Sequence, residues 1–229
     1  MRRESVIFEF PDANYGLAGT DKHESTYNIT ELRDFQYQKV KTRLAVEQAP
    51  ILWRKVDIEA AKYARVSFLD YLNDKDTAKS VVESLVKFGV AFIENVPPTE
   101  ECTGVAVKHL FPIQKTFYGE MWAISTEEAH SDSAYSQQHL GAHNDNTYFN
   151  DAAGLQILHC VENSFWGGES LLVDGFRAVA DLKEANEKAF DVLCHTSIPA
   201  QYVEKGRHHF HCDSVIRLNS ITNEPEQIR

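Results

Sequence analysis

No run of apolar residues in this chain is long enough to span a bilayer, so no membrane-embedded role is expected. Positive charge is also short. Lys+Arg number 23 against 34 Asp+Glu, a net charge of -11, which argues against a nucleic-acid backbone or an anionic membrane as partner and favours a neutral or cationic ligand. Cysteine is scarce: Cys102, Cys160, Cys194 and Cys212 show neither CxxC nor zinc-ribbon spacing. With no secretory signal, free thiols in a reducing compartment are the expectation. Met1-Arg2-Arg3 is basic, but Glu4 and Glu9 follow and residues 5–10 read as a strand, so no amphipathic transit peptide is read here. Internal repeats and low-complexity tracts are absent as well.

What is present is enough for a core. The chain has 229 residues, 43% hydrophobic and 11% aromatic, which predicts one domain or one domain with a small lobe. Residues 1–45 read as the remnant of a small β-rich lobe, and residues 46–229 as the main domain. Val6, Phe8 and Phe10 alternate on one face, and residues 16–25 read as a loop. A helix is predicted from Asp76 to Phe88, capped by Asp76 and ended by Gly89. A strand follows from Gly89 to Val96, stopped by Pro97-Pro98, and a helix starts near Thr99. Residues 154–161 and 170–173 read as strands, residues 176–193 as helical, and strands return at 198–203, 210–216 and from 227. These elements predict a mainly β fold with helical cover and an antiparallel jelly-roll core.

The chemistry centres on Gly141-Ala142-His143-Asn144-Asp145, ahead of a run read as a strand. An imidazole and a carboxylate two residues apart on extended backbone share a face. They could supply two ligands of a 2-His-1-carboxylate triad, the set used by non-haem Fe(II) oxygenases. The triplet alone is weak, since His130-Ser131-Asp132 and His211-Cys212-Asp213 repeat it. Aromatic rings gather at Phe117-Tyr118-Gly119-Glu120-Met121-Trp122 and Tyr135, where either core packing or a ligand face would use them. Cys194, His195, His211 and Cys212 offer a weaker zinc-site alternative.

With these residues in view, the chain resembles the γ-butyrobetaine/trimethyllysine dioxygenase family. The matching motifs are residues 51–53, 89–98, 117–122, Ala134-Tyr135, His143-Asn-Asp145, 155–160 and 167–176, in the same order and spacing over about residues 49–195. The resemblance implies a double-stranded β-helix hydroxylase that uses Fe(II), 2-oxoglutarate and ascorbate. Its metal ligands would include His143 and Asp145, with Leu158 beside the co-substrate. Tyr118, Trp122 and Tyr135 look like the positions of a cage for a small-molecule substrate with a trimethylammonium group, because such a cation is best held by ring faces. Asp132 favours trimethyllysine, which has an α-ammonium, over γ-butyrobetaine, where the related enzymes tend to carry a neutral amide. By the same resemblance, a homodimer and a mitochondrial location are implied, the latter without a transit peptide in this sequence and otherwise cytoplasmic.

The resemblance also implies a departure. The family's third iron ligand, a distant His, and an Arg that anchors 2-oxoglutarate fall beyond Arg229, and His208, His209 and His211 come too early to replace that ligand. On this reading the C-terminal part of the core is missing and activity is in doubt. A γ-butyrobetaine hydroxylase, or a non-catalytic binding protein that has lost the iron site, are the alternatives.

Overall fold

The computed structural model describes residues 5–10, 23–29, 50–124, 139–163, 166–204, 206–220 and 222–229. The chain divides into two compact units, Met1–Ala49 and Pro50–Arg229. In the first, β1 (Ser5–Phe10) pairs antiparallel with β2 (His23–Asn28), Val6 opposite Tyr27 and Phe8 opposite Ser25. The strand therefore takes in residues 23–25, which the sequence reads as loop.

The second unit begins with α1 (Lys55–Ala60), then β3 (Arg65–Ser67), α2 (Phe68–Asn73), α3 (Lys75–Phe88), β4 (Phe92–Glu94) and α4 (Glu100–Lys108). β3 and β4 pair in parallel, Val66 opposite Ile93, with α2 and α3 as the crossover. The cap of α3 is Asp74 rather than Asp76: its carboxylate accepts from the backbone N–H groups of Asp76 and Thr77, and the Thr77 hydroxyl first, then these N–H groups, hold it below the ordinary carboxylate range. Asp76 lies in the first turn, where its charge complements the helix dipole. Gly89 ends the helix with φ +73°, a conformation that costs glycine little. The Thr99 hydroxyl caps α4 through Cys102 N–H, and that helix ends before reaching Pro112.

The packing of this half centres on Tyr71, Ala78 and Val81, with Val66, Leu85 and Ile93 around them. Ser84 is buried at the seam, where its hydroxyl accepts from Ala64 N–H (2.9 Å) and donates to the Val90 carbonyl (2.7 Å). Ser84→Ala is expected to cost about 1–3 kcal/mol, because two backbone groups lose their partner at once. Urea unfolding monitored by circular dichroism measures it.

The chain returns to regular structure at α5 (Gly175–Ala185) and α6 (Glu187–His195). Asn186 separates them: it ends the first helix, and its side chain caps the second through Ala189 N–H. The helical stretch read as continuous from 176 to 193 is thus two helices. β5 (Ser197–Glu204) and β6 (Arg207–Ser214) form a long antiparallel hairpin. β7 (Ile216–Leu218) and β8 (Pro225–Ile228) form a short one. Val179, Phe190, Cys194 and Ile216 make the core here, and Ile228 packs against it.

Among the described residues, eight strands pair as four two-stranded sheets beside six helices. Residues 154–161 and 170–173 form no strand, and β4 is shorter than the predicted 89–96. Their apolar side chains, Leu158 and Leu171 among them, are exposed. Asp174, at the end of the second run, instead caps α5 through Arg177 N–H. All four cysteines are free thiols. Among the described residues no helix is long and apolar enough to cross a membrane.

Candidate functional site

His143 and Asp145 do not lie on a strand; residues 141–150 run through bends and a turn, with Asn146 at φ +59°. The two side chains converge nonetheless. His143 Nε2 lies 3.3 Å from Asp145 Oδ1, both residues about half exposed. His143 Nδ1 is 2.7 Å from the Gly141 carbonyl. A carbonyl only accepts, so the ring donates from Nδ1, which leaves Nε2 as the nitrogen whose lone pair a metal could take. Gln156 donates to Asp145 Oδ2, which leaves Oδ1 facing the ring. A lone pair and a carboxylate oxygen at this distance repel unless a cation or a proton lies between them.

A divalent metal fits the gap. Two ligands at right angles on an ion with bonds of about 2.1 Å are about 3 Å apart. A metal-binding His that donates its other N–H to a backbone carbonyl, beside a hydrogen-bonded carboxylate, is the usual outer-sphere arrangement. His143 and Asp145 are therefore donors suited to iron. Among the described residues no group of three His, Cys, Asp or Glu side chains gathers at one point, so a third ligand is not found there. The same observation removes the zinc site of Cys194, His195, His211 and Cys212. Cys194 is buried in the α6 core, and His195 is exposed at the end of that helix.

The aromatic residues form a cluster against the β5–β6 hairpin. Tyr118 and Trp122 stack at 4.9 Å with their planes 27° apart, and Trp122 is 43% exposed. Two rings stacked on each other do not enclose a cation between them; Trp122 offers a cation only its outer face. Phe117 stacks on His209 at 4.5 Å and packs on Tyr202 at 4.8 Å. The Arg207 guanidinium lies 5.4 Å over the Phe117 ring. Tyr202 donates to Glu204 at 2.6 Å, and this bond above all holds its phenol protonated well above the ordinary range. The cluster reaches the metal-ligand candidates through hydroxyls: Tyr118 and Tyr148 oxygens are 2.8 Å apart, and Tyr148 donates to Asn146 Oδ1 at 2.9 Å.

Asp132 and Tyr135 lie outside the described residues, as does His130. Leu158 is described and is 71% exposed. Beside it, His159 Nδ1 meets the Thr103 hydroxyl at 2.6 Å, which ties this segment to α4. Sequence reasoning missed Tyr202 and His209, which face each other across β5 and β6. An aromatic cross-strand pair is a recurring stabiliser of hairpins, and the alternation of residues 198–203 carried that signal. It also missed Arg229, whose side chain is only 7% exposed.

Residues 53–229 match the family model described as the taurine catabolism dioxygenase TauD, TfdA family, and the chain belongs to that family. Within it, the chain is 33% identical over 212 residues to the mitochondrial trimethyllysine dioxygenase of Rattus norvegicus, an alignment covering 92% of this chain and 48% of that protein. The mitochondrial trimethyllysine dioxygenase of Homo sapiens is 32% identical over 184 residues, 80% of this chain and 43% of that protein. The gamma-butyrobetaine dioxygenase of Pongo abelii is more distant, 25% identical over 209 residues, 86% of this chain and 54% of that protein. The chain spans about half the length of these curated relatives.

Proposed function

We propose that this chain acts in the Fe(II)- and 2-oxoglutarate-dependent hydroxylation of N6-trimethyllysine, with residues 46–229 belonging to a double-stranded β-helix oxygenase core. The observation that carries the reading is the junction of two sites. The converging His143 and Asp145 donors are joined through Asn146 and Tyr148 to the Tyr118–Trp122 stack. His143 Nε2 and Asp145 Oδ1 would hold the iron, whose chemistry when bound is the use of O2 and 2-oxoglutarate to oxidise a C–H bond. The chain's own task is placement. Gly141 and Gln156 orient the two donors, and the ring face of Trp122 receives the trimethylammonium group, which cannot donate a conventional hydrogen bond. Tyr135 adds a further ring and Asp132 a charge partner for the α-ammonium, both by resemblance. Leu158 lies beside the co-substrate on the same ground, and ascorbate would keep the iron reduced. The names of the rat and human relatives favour a mitochondrial location.

A second reading is a binding protein that keeps the Trp122 ring face, 43% exposed, without turnover. Purified protein mixed with Fe(II), ascorbate, 2-oxoglutarate and trimethyllysine separates the two. Succinate release supports the hydroxylase; saturable binding with no succinate supports the binding protein. In either case Trp122→Ala is expected to weaken trimethyllysine binding by about 1–2 kcal/mol, read by calorimetric titration. Asp132→Asn should narrow the preference for trimethyllysine over γ-butyrobetaine, since a charge-assisted hydrogen bond is roughly twice as strong as a neutral one. Equal losses on both ligands would assign Asp132 to the fold.

A further inference from the structure

The triplet His211-Cys212-Asp213 repeats the spacing of the metal-ligand candidates, but the structure gives it another partner. On β6, His211 and Asp213 flank the guanidinium of Arg229, just past β8. Arg229 Nη1 donates to Asp213 Oδ2 (3.0 Å) and to His211 Nε2 (2.6 Å). Arginine has no acceptor, so His211 Nε2 must carry its lone pair, and its proton sits on Nδ1, which donates to Asn150 Oδ1 at 3.0 Å. Arg229 Nη2 donates to the carbonyls of Thr147 (3.2 Å) and Phe149 (2.7 Å). Both terminal nitrogens are thus committed, and the side chain is nearly buried. It is in no position to take a co-substrate carboxylate. The residue before it adds a further tie: the Ile228 carbonyl accepts from the Asn144 side chain at 2.7 Å. Asn144 stands between the two metal-ligand candidates, and Thr147 and Phe149 follow them.

We propose that Arg229, held by His211 and Asp213, is a positioning residue that fixes residues 144–149 and so presets the distance between His143 and Asp145. Residues 141–150 have no strand or helix of their own to hold them. Their geometry depends on these ties, and a planar guanidinium that serves two carbonyls on one side and a carboxylate on the other holds them better than a point charge. The consequence for metal binding rests on the iron reading above; the consequence for backbone order does not.

The test compares the full chain with Arg229→Met, Arg229→Lys and the double variant Asp213→Asn/Arg229→Met, which removes both charges and leaves no unpaired carboxylate. Amide hydrogen exchange is followed in residues 144–149, with α3 as internal reference, and Co(II) affinity is measured by absorption titration. In Arg229→Met and the double variant, exchange in 144–149 should be at least about tenfold faster while α3 is unchanged, because charge-assisted bonds to the segment are lost. Co(II) binding should weaken by about 10–100-fold, as for loss of an outer-sphere support, and Arg229→Lys should recover part of both. Unchanged exchange in 144–149 in both methionine variants would overturn the proposal, as would equal acceleration there and in α3 in both. If His143→Ala binds Co(II) as the unaltered chain does, the iron reading fails, and the exchange result alone decides the role of Arg229.

Discussion

His143→Ala or Asp145→Ala is expected to weaken Fe(II) binding by well over about a hundredfold and to abolish any metal-dependent succinate release. Loss of an outer-sphere partner alone typically costs about 10–100-fold, and here a donor atom itself is removed. The two variants should behave alike, because Nε2 and Oδ1 face one gap 3.3 Å wide. Anaerobic calorimetric titration with Fe(II) reads the affinity. His195→Ala is the control, since its exposed ring pairs with Asp191 on α6, apart from the candidate site. By spacing alone, Asp213 would serve as an indifferent control too; its ion pair with Arg229 removes it from that role. Full Fe(II) affinity in both alanine variants would place the metal elsewhere.

The second large effect belongs to the fold. Tyr71 is 1% exposed, its hydroxyl donates to the Ala106 carbonyl on α4 at 3.0 Å, and its ring meets His109 edge-on at 4.9 Å. Tyr71→Ala should destabilise the Pro50–Arg229 unit by about 3–5 kcal/mol, the range for removing a large buried ring. Tyr71→Phe should cost about 1–2 kcal/mol, chiefly the hydrogen bond. Burial raises the Tyr71 phenol above its ordinary 10.0. A raised folded-state value means the contribution is whole below pH 10 and is lost as pH rises through the folded value. Tyr71→Phe should therefore flatten the alkaline loss of stability. Urea midpoints from neutral to alkaline pH measure all three effects, and a Tyr71→Ala midpoint equal to that of the unaltered chain would refute this account of the core.

Local signals were the legible ones. Thr99, Gly89 and the apolar stripe through Val81 and Leu85 placed two helices, because caps and stripes act over a few residues. The miss of Asp74 for Asp76 was two residues, across Lys75, between two carboxylates that could each cap a helix. Strands were harder to read. Residues 154–161 and 170–173 carry apolar, β-prone side chains, yet a strand exists only where another backbone completes its ladder, and none does among the described residues. The candidate site divides in the same way. His143 and Asp145 were legible as a local pair, though their convergence comes from a bend stabilised by Gly141 and Gln156 rather than from extended backbone. Arg229 was not legible, because its partners at 147, 149, 211 and 213 are set by tertiary structure.

The connector before α1 bears on how such a chain assembles in time. The Trp53 backbone N–H donates to the Asp174 carboxylate at 2.8 Å, 121 residues away in sequence, and the Arg54 guanidinium meets Asp181 at 2.9 Å. Asp174 also caps α5, so one carboxylate serves both ends of this span. Such ties carry the loop-closure entropy of the whole intervening chain and reward the molecule only after both ends have been made. During synthesis from the N-terminus, the Trp53 indole can already donate to the Phe88 carbonyl at the end of α3 (2.8 Å), but its backbone N–H and the Arg54 guanidinium must wait on the ribosome until α5 emerges. Until then a backbone donor, a guanidinium and the start of the domain stand open to chaperones.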